Sequence, residues 1–162
     1  MRKSITLLMT LCSLFLLSLY ADRVKEQAVP VLGGQNDRPV VLLDAGHGGK
    51  DPGKVGAGDV LEKDINLEIA KKLEELLMLN DVTVVMTRTT DCDLASEGAT
   101  SRKNEDLRNR AKLIRETGAT LVVSIHQNSY PDPKYKGTQV FYAPTGGSEQ
   151  LAKAIQQCVS LQ

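Results

Sequence analysis

The apolar positions of this chain follow two alternating patterns. Short continuous runs occur at 39–45 (PVVLLDA), 82–87 (VTVVMT), 119–125 (ATLVVSI) and 138–142 (TQVFY). Runs of this length, rich in β-branched residues and bounded by turn residues, predict strands. Between them the spacing becomes helical. Ile65, Ile69, Leu73, Leu76 and Leu77 recur three and four apart across 62–79, with Asp59 or Asp64 placed to cap the start. Leu107, Ala111 and Ile114 share one face of a second helix over 105–116, which Gly118 stops. Leu151, Ala154, Ile155 and Cys158 share a face of a third over 148–161. The order β-α-β-α-β-β-α predicts an α/β fold, a mostly parallel sheet flanked by helices on both faces.

A different pattern precedes these elements. Arg2 and Lys3 introduce an uncharged apolar run over 4–21. A basic start followed by an apolar stretch marks a secretory signal peptide. The run is also about the shortest that spans a bilayer, so an uncleaved membrane anchor fits as well. No polar face interrupts it, which argues against a helix buried in the domain. Cys12 does not read as a lipidation site, because it falls early in the apolar run and Leu11 before it is not small. Residues 22–38 (DRVKEQAVPVLGGQNDR) mix charge, proline and a glycine pair and read as a linker. The expected location is outside the cytoplasm, with membrane contact only through the N-terminal segment if it stays attached.

Composition narrows the function. A chain of 162 residues fits one domain. With 41% hydrophobic and 25% charged residues it is not disordered throughout. Its 20 bases and 20 acids balance, and without Arg2 and Lys3 the acids are in slight excess. That excludes a nucleic-acid binder working by phosphate neutralisation. Tryptophan is absent and aromatic residues make up 4%, which argues against a surface that stacks on bases or sugars. Cys92 and Cys158 lack metal-ligand spacing and read as unpaired thiols.

The chain has two histidines, and each lies just after a predicted strand: His47 after VVLLDAG and His126 after LVVSI. Sites of open α/β sheets form beyond the carboxyl ends of the strands. Two histidines at equivalent rim positions point to a metal or acid–base site. Glu62, where the first helix begins, lies near the same rim as a candidate third ligand. Two imidazoles and one carboxylate form a known catalytic zinc set that leaves a position for water. The competing reading of Glu62 is a carboxylate stabilising the helix dipole, worth roughly 0.3–1 kcal/mol. The intervening loop, residues 48–54, nearly spells the phosphate-binding pattern G-x-x-x-x-G-K. It fails because Val55 replaces the magnesium-binding hydroxyl, Pro52 removes an amide donor, and glycines continue before the helix.

Four segments in order, DAGHGGKDPG, EKDINLEIAKKL, TRTTD and LVVSIHQNS, resemble the zinc-dependent N-acetylmuramoyl-L-alanine amidases of the bacterial cell wall, the type-3 group. The likeness runs from about Val40 to Tyr142, and SIHQNS followed by GTQVFY is most similar to the sporulation amidases acting on spore cortex. The resemblance implies a catalytic domain over 39–162 with one Zn²⁺ held by His47, Glu62 and His126. It implies hydrolysis of the amide between the lactyl group of N-acetylmuramic acid and L-alanine in peptidoglycan, and leaves room for an activator protein. Arg88 matches the family's TR pair and is a candidate substrate contact, or else a structural ion pair with Asp91. Asn128 is a candidate glycan or peptide contact, or else a turn former. Arg110 matches a structural arginine, while Ile114-Arg115 stand where the family has an Ala-Asn pair. The family's proton-shuttling glutamate comes on a later strand, beyond Gln162, so the domain reads as C-terminally incomplete with its catalytic acid–base unassigned; Glu149 at a helix start does not replace it. The alternative is an inactive wall-binding or regulatory relic of the same fold.

Overall fold

The computed structural model describes residues 38–160, apart from 131, 133 and 135. The signal or anchor over 1–21 and nearly all of the linker over 22–38 lie outside the described residues. Three parallel strands form one sheet: β1 (Val40–Ala45), β2 (Thr83–Met86) and β3 (Leu121–Ile125), in the order β2-β1-β3. Three helices accompany them: α1 (Glu62–Met78), α2 (Arg102–Glu116) and α3 (Ser148–Ser160). A short 3-10 turn, Ala57–Asp59, precedes α1. Among the described residues no helix is long and apolar enough to cross a membrane.

The strand order places the helices. The chain leaves β1 to one side to make β2, then returns across β1 to make β3. Parallel crossovers are right-handed, so opposite directions of travel put α1 and α2 on opposite faces. The side chains of β1 record this, because neighbours on a strand point to opposite faces. Ala45 packs with Leu67 and Ala70 of α1, while Asp44 binds Arg110 of α2. Leu42 and Leu43 are both fully buried, so both faces of the central strand are covered.

The apolar stripes expected to face the core are not the ones that do. On α1 the buried residues are Glu62, Lys63, Asn66, Leu67 and Ala70, while Ile69 is 42% and Leu76 59% exposed. On α2 the buried residues are Asp106 and Arg110, and Leu107 is 55% exposed. The rotation of each helix is set by polar groups that reach the end of β1, and these outweigh the burial of an isoleucine or leucine. The first turn of α1 is likewise not capped by Asp59 or Asp64. Its N-cap is Leu61, and the carbonyls of Lys54 and Pro52 accept the N–H groups of Glu62 (2.9 Å) and Lys63 (3.2 Å). The glycine loop thus satisfies the orphan donors of the helix start itself.

The strand expected at 138–142 does not form. The Gln156 side chain takes the strand partner's place, accepting from Val140 N–H at 2.9 Å and donating to the Thr138 carbonyl at 2.9 Å. Helix α3 buries Ala152 and half-buries Leu151 and Ile155, two of the four residues its spacing placed on the inner face, while Ala154 and Cys158 are exposed. Cys92 and Cys158 are free thiols, as expected.

Replacing Leu43 by alanine should lower stability by about 2–5 kcal/mol, as large-to-small core changes do. Leu107→Ala should change it by less than about 0.5 kcal/mol, because its side chain faces water. Urea unfolding of both variants checks the assignment of the α2 face.

Candidate metal centre

The site is built at the carboxyl ends of β1 and β3. Their register pairs Ala45 with Ile125, and Gly46 N–H donates to the Ile125 carbonyl at 3.1 Å. Residues just beyond two adjacent strand ends therefore meet. The connection after β1 leads to β2, away from β3, and sites of open α/β sheets form beyond such strand ends.

His47 sits in the left-handed region at φ 61°, a conformation that costs a non-glycine residue about 1–3 kcal/mol. Buried donors hold it there. Arg88 donates to the carbonyls of Ala45 (2.9 Å), Gly46 (3.0 Å), Lys63 (2.7 Å) and Thr90 (3.2 Å). Arg110 donates to the carbonyls of Ala45 (2.9 Å) and His47 (2.7 Å), and Asn66 adds a bond to Gly46 at 3.1 Å. Three successive carbonyls are thereby fixed from below. Arg110 is balanced by Asp44 (2.7 Å) and Asp106 (2.8 Å). Burial pushes the Asp44 carboxyl up, but bonds from Ser124, Arg110 and Thr87 more than offset this and hold it below its usual range.

The donor atoms of His47, Glu62 and His126 lie within 4.8 Å of one another. Glu62 Oε1 is 3.2 Å from His47 Nε2 and 3.0 Å from His126 Nδ1, and the two rings meet edge-on at 4.9 Å. Glu62 is 5% exposed. Burial pushes its carboxyl up, but the N–H groups of Lys54 and Gln127, the His126 ring and the Asn66 amide overcome that and lower it to about 2. An ionised carboxylate facing two imidazole nitrogens suits one metal cation, and the cluster is open to solvent on the side of His126. Glycines make the cluster geometrically feasible. A Cβ on Gly46 would run into the His126 ring, and one on Gly53, at φ 67°, would lie 2.6 Å from His47 Cδ2 and 2.7 Å from Glu62 Oε2.

The cluster opens on a groove of about 970 Å³. Its walls include Lys54, Lys136, Val60, Ile65, Phe141 and Asn128, whose amide donates to Gln139 at 3.0 Å. Glu62 is the sole carboxylate lining the groove among the described residues. Asn128 thus lines the groove. Arg88 does not line the groove: it is 3% exposed and its guanidinium is spent on backbone carbonyls. Asp91 pairs with Lys63 at 2.6 Å and accepts from Gly49 N–H at 2.8 Å, so it is no bonded partner of Arg88. The near phosphate-binding loop is also spoken for. The amides of Gly48, Gly49, Asp51, Gly53 and Lys54 all donate within the protein, leaving no cradle for a phosphate.

Residues 41–162 match the family described as N-acetylmuramoyl-L-alanine amidase. The chain belongs to this amidase family. It is 43% identical over 139 residues to the germination-specific N-acetylmuramoyl-L-alanine amidase of Bacillus subtilis, a match covering 83% of this chain and 56% of that protein. It is 33% identical over 129 residues to the amidase AmiC of Neisseria meningitidis, covering 79% of this chain and 28% of the relative. Among solved structures it resembles the CwlD amidase of Clostridioides difficile, determined in complex with the GerS lipoprotein. That likeness has 40% identity and a TM-score of 0.71, covering 76% of this chain and 66% of that one. The chain therefore spans between 28% and 66% of the length of these relatives.

In this family member the chain pattern did not single out Asn66, Asp44 and Asp51. Asn66 is fully buried and also accepts from the Gln127 side chain at 3.1 Å. Its signal was a polar residue one helical turn after Glu62 on the same face. Asp44 ties three elements together, accepting from Thr87 (3.0 Å), Ser124 (2.8 Å) and Arg110. An aspartate closing an otherwise apolar strand was its signal.

Gly46→Ala should leave the protein folded, because the exposed His126 ring can swing away. It should weaken divalent-metal binding on the order of tenfold or more, a size typical of disturbed metal surroundings; chelator competition measures it. The lowered Glu62 carboxyl also gives a pH dependence to the metal-free protein. Its contribution is complete above about 4.5 and is lost as pH falls toward about 2. Urea midpoints across that window should fall more steeply for the natural protein than for Glu62→Gln.

Proposed function

We propose that this protein is a zinc-dependent N-acetylmuramoyl-L-alanine amidase. It hydrolyses the amide between the lactyl group of N-acetylmuramic acid and L-alanine of peptidoglycan. The observation carrying this reading is the convergence of His47, Glu62 and His126 within 4.8 Å, with Glu62 lining the groove. These three residues would hold one Zn²⁺, offering two imidazole nitrogens and a carboxylate oxygen within 4.8 Å of one another. When bound, zinc supplies Lewis-acid polarisation of the scissile carbonyl and a water whose pKa is lowered to about 7.

The protein's own groups prepare that chemistry. The N–H groups of Lys54 and Gln127 fix the Glu62 carboxylate at 2.8 and 3.0 Å and keep it ionised. Arg88 and Arg110 hold the His47 backbone and do not contact substrate. Asn128 and Gln139 offer amide groups to the glycan or peptide, and the apolar wall of Val60, Ile65 and Phe141 lies beside them. The ammonium groups of Lys54 and Lys136 suit the carboxylates of a stem peptide.

The action lies outside the cytoplasm, where peptidoglycan is, and the N-terminal segment over 1–21 provides export or anchoring. Likeness to a germination-specific amidase supports use on the spore wall, and the lipoprotein complex of the C. difficile relative supports a partner protein. A second reading is a wall-binding relic that holds zinc without turnover. It is favoured by one observation, that Glu62 is the sole carboxylate lining the groove among the described residues.

Two measurements separate these readings. Zinc content should be one ion per chain, and His126→Ala should lose it; stoichiometric zinc in that variant would sink the ligand assignment. Incubation with peptidoglycan should release stem peptides with a free L-alanine amine, and release should fall to background in His126→Ala. Zinc bound without any release would favour the relic.

A further inference from the structure

Among the described residues outside the three donors, Asp51 is the carboxylate within ion-pair distance of the cluster. Asp51 Oδ2 lies 3.0 Å from His47 Nδ1, the ring nitrogen turned away from Glu62. The other oxygen, Oδ1, accepts Gly53 N–H at 3.1 Å. The Asp51 backbone is itself fixed by reciprocal bonds with Gly48, at 3.0 and 3.1 Å. Lys103 Nζ stands 3.7 Å from Oδ2 on the solvent side. Both carboxylate oxygens and the backbone carrying them are thus anchored.

We propose that Asp51 is a positioning residue that sets the tautomer of His47. Both ring nitrogens face carboxylates, which only accept, but Glu62 Oε1 already accepts Gln127 N–H at 3.0 Å and lies 3.0 Å from His126 Nδ1, whereas Asp51 Oδ2 has only Lys103 at 3.7 Å beside the His47 ring, so the neutral ring places its proton on Nδ1. Nε2 then carries the lone pair, aimed at the Glu62 oxygen 3.2 Å away. Two lone pairs facing each other at that distance repel, and a cation between them relieves the repulsion, so this tautomer leaves Nε2 ready for metal. Free imidazole has no such bias in a useful direction, and the wrong tautomer blocks the coordinating nitrogen with a proton. His126 has no equivalent. Among the described residues, the only carboxylate within ion-pair distance of its ring is Glu62. One ligand is therefore set in advance and the other, 48% exposed at its side chain, completes the site.

This rests on the metal-centre reading proposed above, yet the two can fail separately. Long-range ¹H–¹⁵N correlation spectra of the full, metal-free protein, at a pH where imidazole is neutral, read the tautomer without any metal. His47 should appear as the Nδ1–H form. Asp51→Asn is nearly the same shape, but Gly53 N–H claims its single oxygen and the –NH₂ then faces Nδ1. It should drive His47 to the Nε2–H form, and Asp51→Ala should leave a mixture. His126 signals should be unchanged in both, which shows that the site remains folded. Zinc affinity by chelator competition should fall about 10–100-fold in each variant. A natural protein whose His47 is Nε2–H would overturn the proposal, whether or not any variant folds. So would variants that keep the Nδ1–H form, or that bind zinc within twofold of the natural protein. If the natural protein shows the Nδ1–H form but binds no zinc, the metal-centre reading fails and the tautomer assignment stands.

Discussion

The site depends on the pinning of three consecutive carbonyls, those of Ala45, Gly46 and His47, by two buried guanidinium groups. Strand β1 must end, turn sharply and present His47 within two residues. It does so through a left-handed backbone at His47 that is unfavourable alone. Arg88 and Arg110 compensate because a guanidinium is a planar fork with five donors, and each binds several carbonyls at once. A lysine ammonium on a flexible stem would not reproduce that geometry. Burying two cations requires counter-charge, and Asp44 and Asp106 provide it beside Arg110. Arg88 relies on carbonyl dipoles, and burial together with the nearby Arg110 lowers its pKa.

This polar framework gives the domain an unusual interior. Among the described residues, seven polar or charged side chains are buried against seven apolar ones. Buried polar groups are tolerated only when satisfied, and no described buried side-chain nitrogen or oxygen lacks a partner. The cost is orientational freedom. Helix α1 must present Glu62 to the site and Asn66 to Gly46, so Ile69 and Leu76 are left partly in water. Helix α2 must present Asp106 and Arg110, so Leu107 is left outside. Each helix is turned to serve the rim of the sheet.

The same economy links loop and helix. The segment from Gly48 to Lys54 satisfies its own amides, closes over the start of α1, and offers Lys54 N–H to Glu62. Its glycines leave space for imidazole and carboxylate where a Cβ would intrude. A segment resembling a phosphate loop thereby forms the wall of the candidate metal centre. The deciding difference is where the amides point, inward to protein acceptors.

What the sequence determined by itself was the succession of elements and the chemistry at their ends. Three of the four expected strands and all three helices occur within a few residues of where apolar period and turn residues put them. Those signals are local, and local sterics and burial fix them. The pair of histidines after two strands was legible for the same reason, since parallel strands bring their carboxyl ends to one rim. Tertiary structure alone decided which face of each helix turns inward. Hydrogen bonds between residues such as Asp44 and Arg110, far apart in sequence, outweighed the hydrophobic stripe. It also decided that 138–142 is no strand, because a single glutamine on α3 satisfies the backbone groups a neighbouring strand would have used. The role of Arg88 was settled in the same way. A chain pattern shows a charged residue after a strand, but whether that charge faces a groove or the underside of a loop depends on the packing around it.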